Sequence, residues 1–290
     1  MHKYSNRTFK VFNMMLMCFI ALICIYPFLY ILALSLSDSS EVLSGKVSIY
    51  PKGFNLTAYQ MILQHPNFLS GYKNTVLYTV VGTAIGLFMT IICAYPLSKK
   101  HLKGKGIILG MILFSMLFSG GLIPSFLLVK GLGLYDSIWA IVIPGAISPF
   151  NMIIMRTFFQ TIPDSLEESA AIDGLNPIQI LIKIVLPLSK PIIATIGLFS
   201  AVYFWNDWFY SMIYLSDNSK YPVMMFLRNI VAGAELAARE GGMRDSSSLN
   251  VVSSTLRSAT IMMVTLPILL SYPFVQKYFV KGMMIGSIKG

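Results

Sequence analysis

Two short stretches of this 290-residue chain group polar and charged residues at spacings that could do chemistry. In "YFWNDWFY" the carboxylate of Asp207 stands beside the amide of Asn206 inside an apolar run, with Tyr203 and Tyr210 on either side and the indoles of Trp205 and Trp208 between them. On a continuous helix Tyr203, Asp207 and Tyr210 share one face, at spacings of four and three. A charged side chain at membrane depth costs about 2.5 to 3.5 kcal/mol on insertion scales, so Asp207 is not expected to face lipid. It suits a proton relay, a hydrogen-bonding wall for a polar ligand, or glue between helices whose aromatics form an interfacial belt. Asn151, with Ser148, Pro144 and Pro149 nearby, marks a broken apolar helix that lines a cavity or packs internally.

The second stretch, "TIPDSLEESAAIDGLNPIQILIKIVLPL", reads as helix, turn, helix. Thr161 and Asp164 have capping-box spacing, Pro163 suits a first turn, and Asp164, Glu167 and Glu168 favour the positive end of a helix. Gly174 offers a left-handed exit, and Asn176 followed by Pro177 restarts a helix that ends at Leu186 and Pro187. Leu166, Ala170 and Asp173 fall on one face, flanked by Ala171 and Ile172, where small residues let another surface approach closely. Helices that lie on lipid headgroups favour Lys and Arg on the polar face, and this one is acidic, so the expected partner is a protein.

Other chemistry lacks its residues. Cys18, Cys24 and Cys93 sit in apolar runs without CxxC spacing and read as small buried hydrophobes. His2, His65 and His101 are scattered, which supports no metal site. Neither Gly45-Lys46 nor Gly104-Lys105 is followed by Ser or Thr, so there is no phosphate-cradling loop. The chain is expected to bind no cofactor, to hydrolyse no ATP alone and to carry no catalytic triad.

The elements that position these groups are membrane spans. The chain is 56% hydrophobic and 12% charged, with a mean hydropathy of +0.70. Its charges cluster between apolar runs, as a bilayer demands. The net charge of +10 therefore reads as membrane flanks, not as a nucleic-acid surface. Six runs approach the roughly 20 residues that cross a hydrocarbon core of about 30 Å: 11–34, 74–97, 107–129, 137–155, 191–215 and 258–275. The first has basic flanks like a signal peptide, but its length and lack of a small-residue cleavage site favour a retained anchor. Most of the 22 Lys and Arg fall on the side of the termini, sharply in "KKHLKGK", which makes that side cytoplasmic and places the acidic segment there. The two long external connections, 35–73 and 216–257, read as solvated loops.

The acidic segment resembles the cytoplasmic EAA motif of binding-protein-dependent ABC importer permeases. Glu168, Ala170, Gly174, Ile184, Leu186 and Pro187 fall at the motif's offsets, with Ser169 in place of its second position's alanine. "GGLIPSFLLVKGLGLYDSIWAIVIP", "LPLSKPIIAT", "FWNDWF" and "QKYFVKGMMIGSIKG" extend the similarity along most of the chain, towards the carbohydrate-uptake branch, its maltose-type second permease and oligosaccharide importers. The resemblance implies an all-α membrane protein, a six-helix type I importer transmembrane domain: cytoplasmic N-terminus 1–10, permease domain 11–275 with coupling segment 161–187, and cytoplasmic tail 276–290. It implies a bacterial cell-membrane location with both termini cytoplasmic. The implied partners are a second permease, two ATPase subunits that hold ATP and Mg, an external solute-binding protein, and a sugar or oligosaccharide substrate. Glu167, Glu168, Ala170, Ala171, Asp173 and Gly174 become candidate contacts to an ATPase, and residues 286–290 a further contact. The face of Tyr203, Trp205, Asn206, Asp207, Trp208 and Tyr210, with Asn151, becomes a candidate glycan pathway. Two rival readings remain: a proton-coupled carrier using Asp207, and a membrane scaffold that docks a soluble ATPase.

Overall fold

The computed structural model describes residues 2–240 and 254–270, and all regular structure among them is helical. Contacts divide these residues into two compact units, one from 2–68 with 226–240 and 254–267, the other from 69–225 with 268–270.

The first unit opens with α1 (His2–Ser35), which contains the expected run 11–34; its stretch Phe9–Ser35 is long and apolar enough to span a membrane, and its most apolar window buries nothing. After Ser35 the chain folds into α2 (Ser39–Leu43) and α3 (Thr57–Gln64). Asp38 caps α2 by accepting from the Ser40 N–H at 2.9 Å, and the Asn55 N–H returns to the Leu36 carbonyl at 2.9 Å. Where the sequence reads simple loop, these bonds hold short helices. The last described helix, α14 (Ser254–Leu270), covers the start of the sixth expected run. Positions 271–275 of that run, and the tail 276–290, lie outside the described residues.

The second unit carries the remaining runs. Nearly all of α4 (Pro66–Ser98) belongs here and is again long enough to span. The run 107–129 is not one helix: α5 (Lys105–Leu117) and α6 (Leu122–Gly131) meet at 115°. Phe118 is extended and Gly121 has φ +87, so hydropathy continues through a stretch whose backbone does not. The run 137–155 is broken, as its prolines suggest, into α7 (Ile138–Val142) and α8 (Pro149–Phe159). Ser148 caps α8 and Pro149 fills its first turn.

Then come α9 (Asp164–Ile172) and α10 (Pro177–Leu188), whose middle, Leu181–Val185, is a π-turn. α10 meets α11 (Lys190–Trp205) at 84°. After a break, α12 (Phe209–Tyr214) follows; of α13 (Val223–Glu240) only the first three residues belong to this unit, and the rest belong to the first. Two helices alone have spanning length and composition among the described residues, or up to four if each bent pair forms one span.

Two cores hold this unit. One joins Ala94, Tyr95 and Leu97 of α4 to Met152, Met155 and Phe159 of α8, and includes Ala170 of α9. The other surrounds Phe204, which is 1% exposed. α4 reaches Phe204 through Gly82, where an added Cβ would stand 2.6 Å from the ring, so only a glycine permits that approach.

Candidate functional site

The acidic segment is built by its ends. α9 begins behind Pro163 with no side-chain cap. Thr161, expected as that cap, instead donates its hydroxyl to the Phe158 carbonyl at 2.7 Å. The helix starts too late for the box: counted from Pro163, the third helical residue is Leu166, which has no acceptor to return. Asp164 and Glu167 do lie in the first turn, where the helix dipole favours them.

The exit follows the sequence closely. The N–H groups of Leu175 and Gly174 donate to the Ala170 and Ala171 carbonyls, both at 3.0 Å, with Gly174 at φ +85. These are the paired bonds of a Schellman exit. Asn176 accepts from the Gln179 N–H at 2.9 Å, and the Gln179 side chain accepts from the Asn176 N–H at 3.0 Å, a complete capping box with Pro177 in the first turn. Both helices are thus terminated by their own hydrogen bonds, and the elbow between them is fixed.

Ion pairs fasten the elbow to the end of α4. Lys99 pairs with Glu167, whose carboxylate also accepts from the Tyr95 hydroxyl at 3.2 Å. The Lys99 ammonium lies 4.4 Å from the Tyr95 ring centroid, a cation–π contact. Lys100 pairs with Asp164 at 2.8 Å. That hydrogen bond holds Asp164 below, and Lys100 above, their ordinary values.

This packing divides the expected contact residues. Ala170 is 4% exposed and belongs to the core, so it is not available to a partner; Leu166, four residues earlier, is exposed. The expected face therefore does not form one surface, because the helix is tilted onto Tyr95 and Phe159. Glu167 turns towards α4. Glu168, Ala171, Ile172, Asp173 and Gly174 are exposed, Ile172 at 87%, with Glu168 and Ala171 at the edge of a groove between α4 and α10.

The membrane-depth residues are divided too. A cavity of about 480 Å³ lies between α4, the α7–α8 turn and α11. Asn151 and Tyr203 line it with Thr90, Ser148, Ser200 and Phe199. The hydroxyls of Thr90 and Ser200 escaped sequence reasoning, since isolated hydroxyls in apolar runs carry no spacing signal. Trp205, Asn206, Asp207, Trp208 and Tyr210 do not line the cavity. α11 stops at Trp205, so Tyr203, Asp207 and Tyr210 do not share a helix face. Asp207 instead accepts from the Tyr210 and Ser211 N–H groups at 3.2 and 3.0 Å and from the Ser211 hydroxyl at 2.6 Å. It starts α12, which explains a carboxylate at this position without a ligand. Asn206 donates its amide back to the Val202 carbonyl at 2.8 Å. Trp205 meets Tyr72 edge-on at 6.2 Å, and Tyr210 stacks on Tyr214 at 6.0 Å.

At the far end of this unit Asp136, at φ 56, accepts from the Ser216 and Asp217 N–H groups and pairs with Lys220 at 2.6 Å. Lys220 and then the two backbone donors hold its carboxyl well below the usual range. No spacing in the sequence pointed to this anchor.

Residues 82–285 match the family of binding-protein-dependent transport system inner membrane components. The chain belongs to that family. This permease is 46% identical to protein LplC of Bacillus subtilis over 99% of its own length and 96% of the relative's. It is 44% identical to the polygalacturonan/rhamnogalacturonan transport system permease protein YtcP of the same organism, covering 99% and 100% of the two chains. A chain from a bacterial ABC transporter involved in the import of the acidic polysaccharide alginate superposes with TM-score 0.83, at 34% identity, covering 96% of this chain and 99% of that one. The permease therefore has the type I ABC importer transmembrane fold, and it is a membrane transport component.

Proposed function

We propose that this permease forms half of the translocation pathway of an ATP-driven importer, with a second permease, two separate ATPase subunits and an external solute-binding protein, and that its substrate is an oligosaccharide. The substrates in the relatives' names, polygalacturonan/rhamnogalacturonan for one and alginate for another, support a glycan cargo. The cavity lined by Asn151, Tyr203 and three hydroxyl side chains supplies hydrogen-bonding groups and aromatic faces suited to a sugar. Six membrane crossings follow if the broken runs each count as one, with both termini cytoplasmic by the distribution of Lys and Arg. ATP and Mg belong to the partner subunits.

The observation that carries the proposal is the fixed elbow of α9, Gly174 and α10. A segment that transmits force must be stiff and fastened to what it moves; this one is closed by a Schellman exit and a capping box and is tied to α4 by two ion pairs. Glu168, Ala171, Asp173 and Gly174, with Ile172, form the outward surface assigned here to an ATPase groove. Asp207 serves as a helix cap, which removes the reason to invoke a proton relay.

The test is purification of the tagged permease in mild detergent, identification of co-purifying subunits, and assay of ATP hydrolysis with binding protein and candidate oligosaccharides. Wild type is expected to bring down an ATPase and a second permease, and Gly174→Pro with Glu168→Ala to lose the ATPase. Uptake driven by a proton gradient without ATP would overturn the proposal, and an ATPase that docks without sugar-stimulated turnover would support a scaffold instead.

A further inference from the structure

The cavity between α4 and α11 has the start of a helix for one wall. The chain breaks between α7 and α8, and Ser148, Phe150 and Asn151, from the cap and first turn of α8, line the space beside that break. Pro149 has no N–H, and the Asn151 N–H reaches the Ser148 hydroxyl only at 3.4 Å. The Phe150 N–H has no acceptor among the described residues. The positive end of an eleven-residue helix thus borders the cavity with donors unpaired. Interrupted membrane helices hold anionic groups in this way. Thr90 lies nine residues, about 14 Å of helix, before Lys99, which puts the space near the middle of a hydrocarbon core of ~30 Å.

The side chains around this helix start are also without partners. Thr90 is 2% exposed, Asn151 8% and Ser200 9%, and all three line the cavity. None of the three side chains has a hydrogen-bond partner among the described residues. Buried polar groups are ordinarily paired, so three of them around one space mark a place where a ligand supplies the partners. Two hydroxyls, an amide and a backbone N–H can all donate, and no Asp or Glu lines the cavity to repel a negative charge. We propose that this cavity takes the carboxylate of a uronate ring. The carboxylate accepts from the Phe150 N–H and from Thr90, Asn151 and Ser200, and the sugar ring lies beside Tyr203. This inference rests on the importer function and deepens it, by making the cargo an acidic oligosaccharide.

Protection of a cysteine in the cavity reads the result directly. Ser200→Cys, in a chain that also carries Cys18→Ala, Cys24→Ala and Cys93→Ala, is purified with its accompanying subunits and labelled by a small methanethiosulfonate in the absence of ATP. Trigalacturonate or trimannuronate is expected to slow labelling several-fold, and the methyl ester of the same sugar to slow it much less. Asn151→Asp, which sets a like charge at the helix start, is expected to abolish protection by the acid and to leave that by the ester. Thr90→Cys, on the opposite wall, gives the same readout if Ser200→Cys fails to fold. No labelling at either cysteine, no protection by either acid, equal protection by acid and ester, or acid protection that survives Asn151→Asp would each overturn the proposal. ATP hydrolysis measured in parallel separates the two levels. Sugar-stimulated hydrolysis without protection counts against this site alone, and protection without stimulated hydrolysis counts against the importer and not against the site.

Discussion

Lys99 and Glu167, 68 residues apart in sequence, form an ion pair that ties the end of α4 to the first turn of α9. Their side chains are 32% and 15% exposed, with the Tyr95 ring beside the cation and its hydroxyl on the anion. The pair thus sits between the exposed and buried regimes of ion-pair energetics. Glu167→Gln should lower unfolding stability by about 1 to 2 kcal/mol, a figure already reduced for solvent screening. Lys99→Met with Glu167→Leu should recover part of the loss, which thermal unfolding of the detergent-solubilised protein would reveal.

Gly174 separates strain from crowding. No atom lies within 4 Å of a Cβ placed there, but its φ of +85 is one that side chains resist. Gly174→Ala should therefore cost about 1 kcal/mol through backbone strain alone, with Gly174→Asn milder. ATPase co-purification should fall in the order Gly, Asn, Ala, Val; equal behaviour of Asn and Val would mean that the left-handed exit does not matter.

Gly82 tests the opposite case. A methyl group there would stand 2.6 Å from the Phe204 ring, which is fully enclosed. Gly82→Ala should destabilise by about 1 to 3 kcal/mol through overpacking. Adding Phe204→Leu should restore part of the loss, and an additive double mutant in melting temperature would refute the contact.

Asp207→Asn should leave transport nearly intact, because asparagine caps a helix about as well as aspartate, whereas Asp207→Ala should cost about 1 kcal/mol. Transport measured at neutral pH separates this from proton relay, for which both substitutions would abolish uptake.

The Asp136 anchor should be insensitive to mild acid. A folded-state value lowered from 3.8 means its stabilisation is fully present above 3.8 and is lost as the pH falls through the lower folded value. Wild type and Asp136→Asn should differ in urea midpoint by a constant margin from about pH 7 to about pH 5, and converge only in stronger acid. Convergence by about pH 6 would show that the Lys220 pair does not form.

The sequence made local stops and starts legible because they depend on neighbouring residues. Gly174, Asn176 and Pro177 behave as their types dictate, and the prolines around Ser148 break their run. What stayed hidden depends on distant partners or on backbone direction. Lys99 and Lys100 were visible as topogenic charges, yet nothing in their spacing names Glu167 and Asp164. The 115° turn before Leu122 keeps every residue apolar, so hydropathy passes through it unchanged. A single helical period puts the polar groups of the aromatic run around Asp207 on one face, and the break after Trp205 invalidates that period. Ala170 matched the motif by position and proved to serve the chain's own core.

The π-turn at Leu181–Val185 winds more slowly than the helix on either side of it. Such a turn holds one residue more than α-helical winding needs, so trimming a single position from it would restore regular pitch and leave Pro187 and Leu188 nearly in phase with Ile178, whereas the same deletion in regular helix would rotate them by about 100°. Within the thirteen-residue interval from Gly174 to Pro187, a lost residue is therefore absorbed at the turn and nowhere else along the helix.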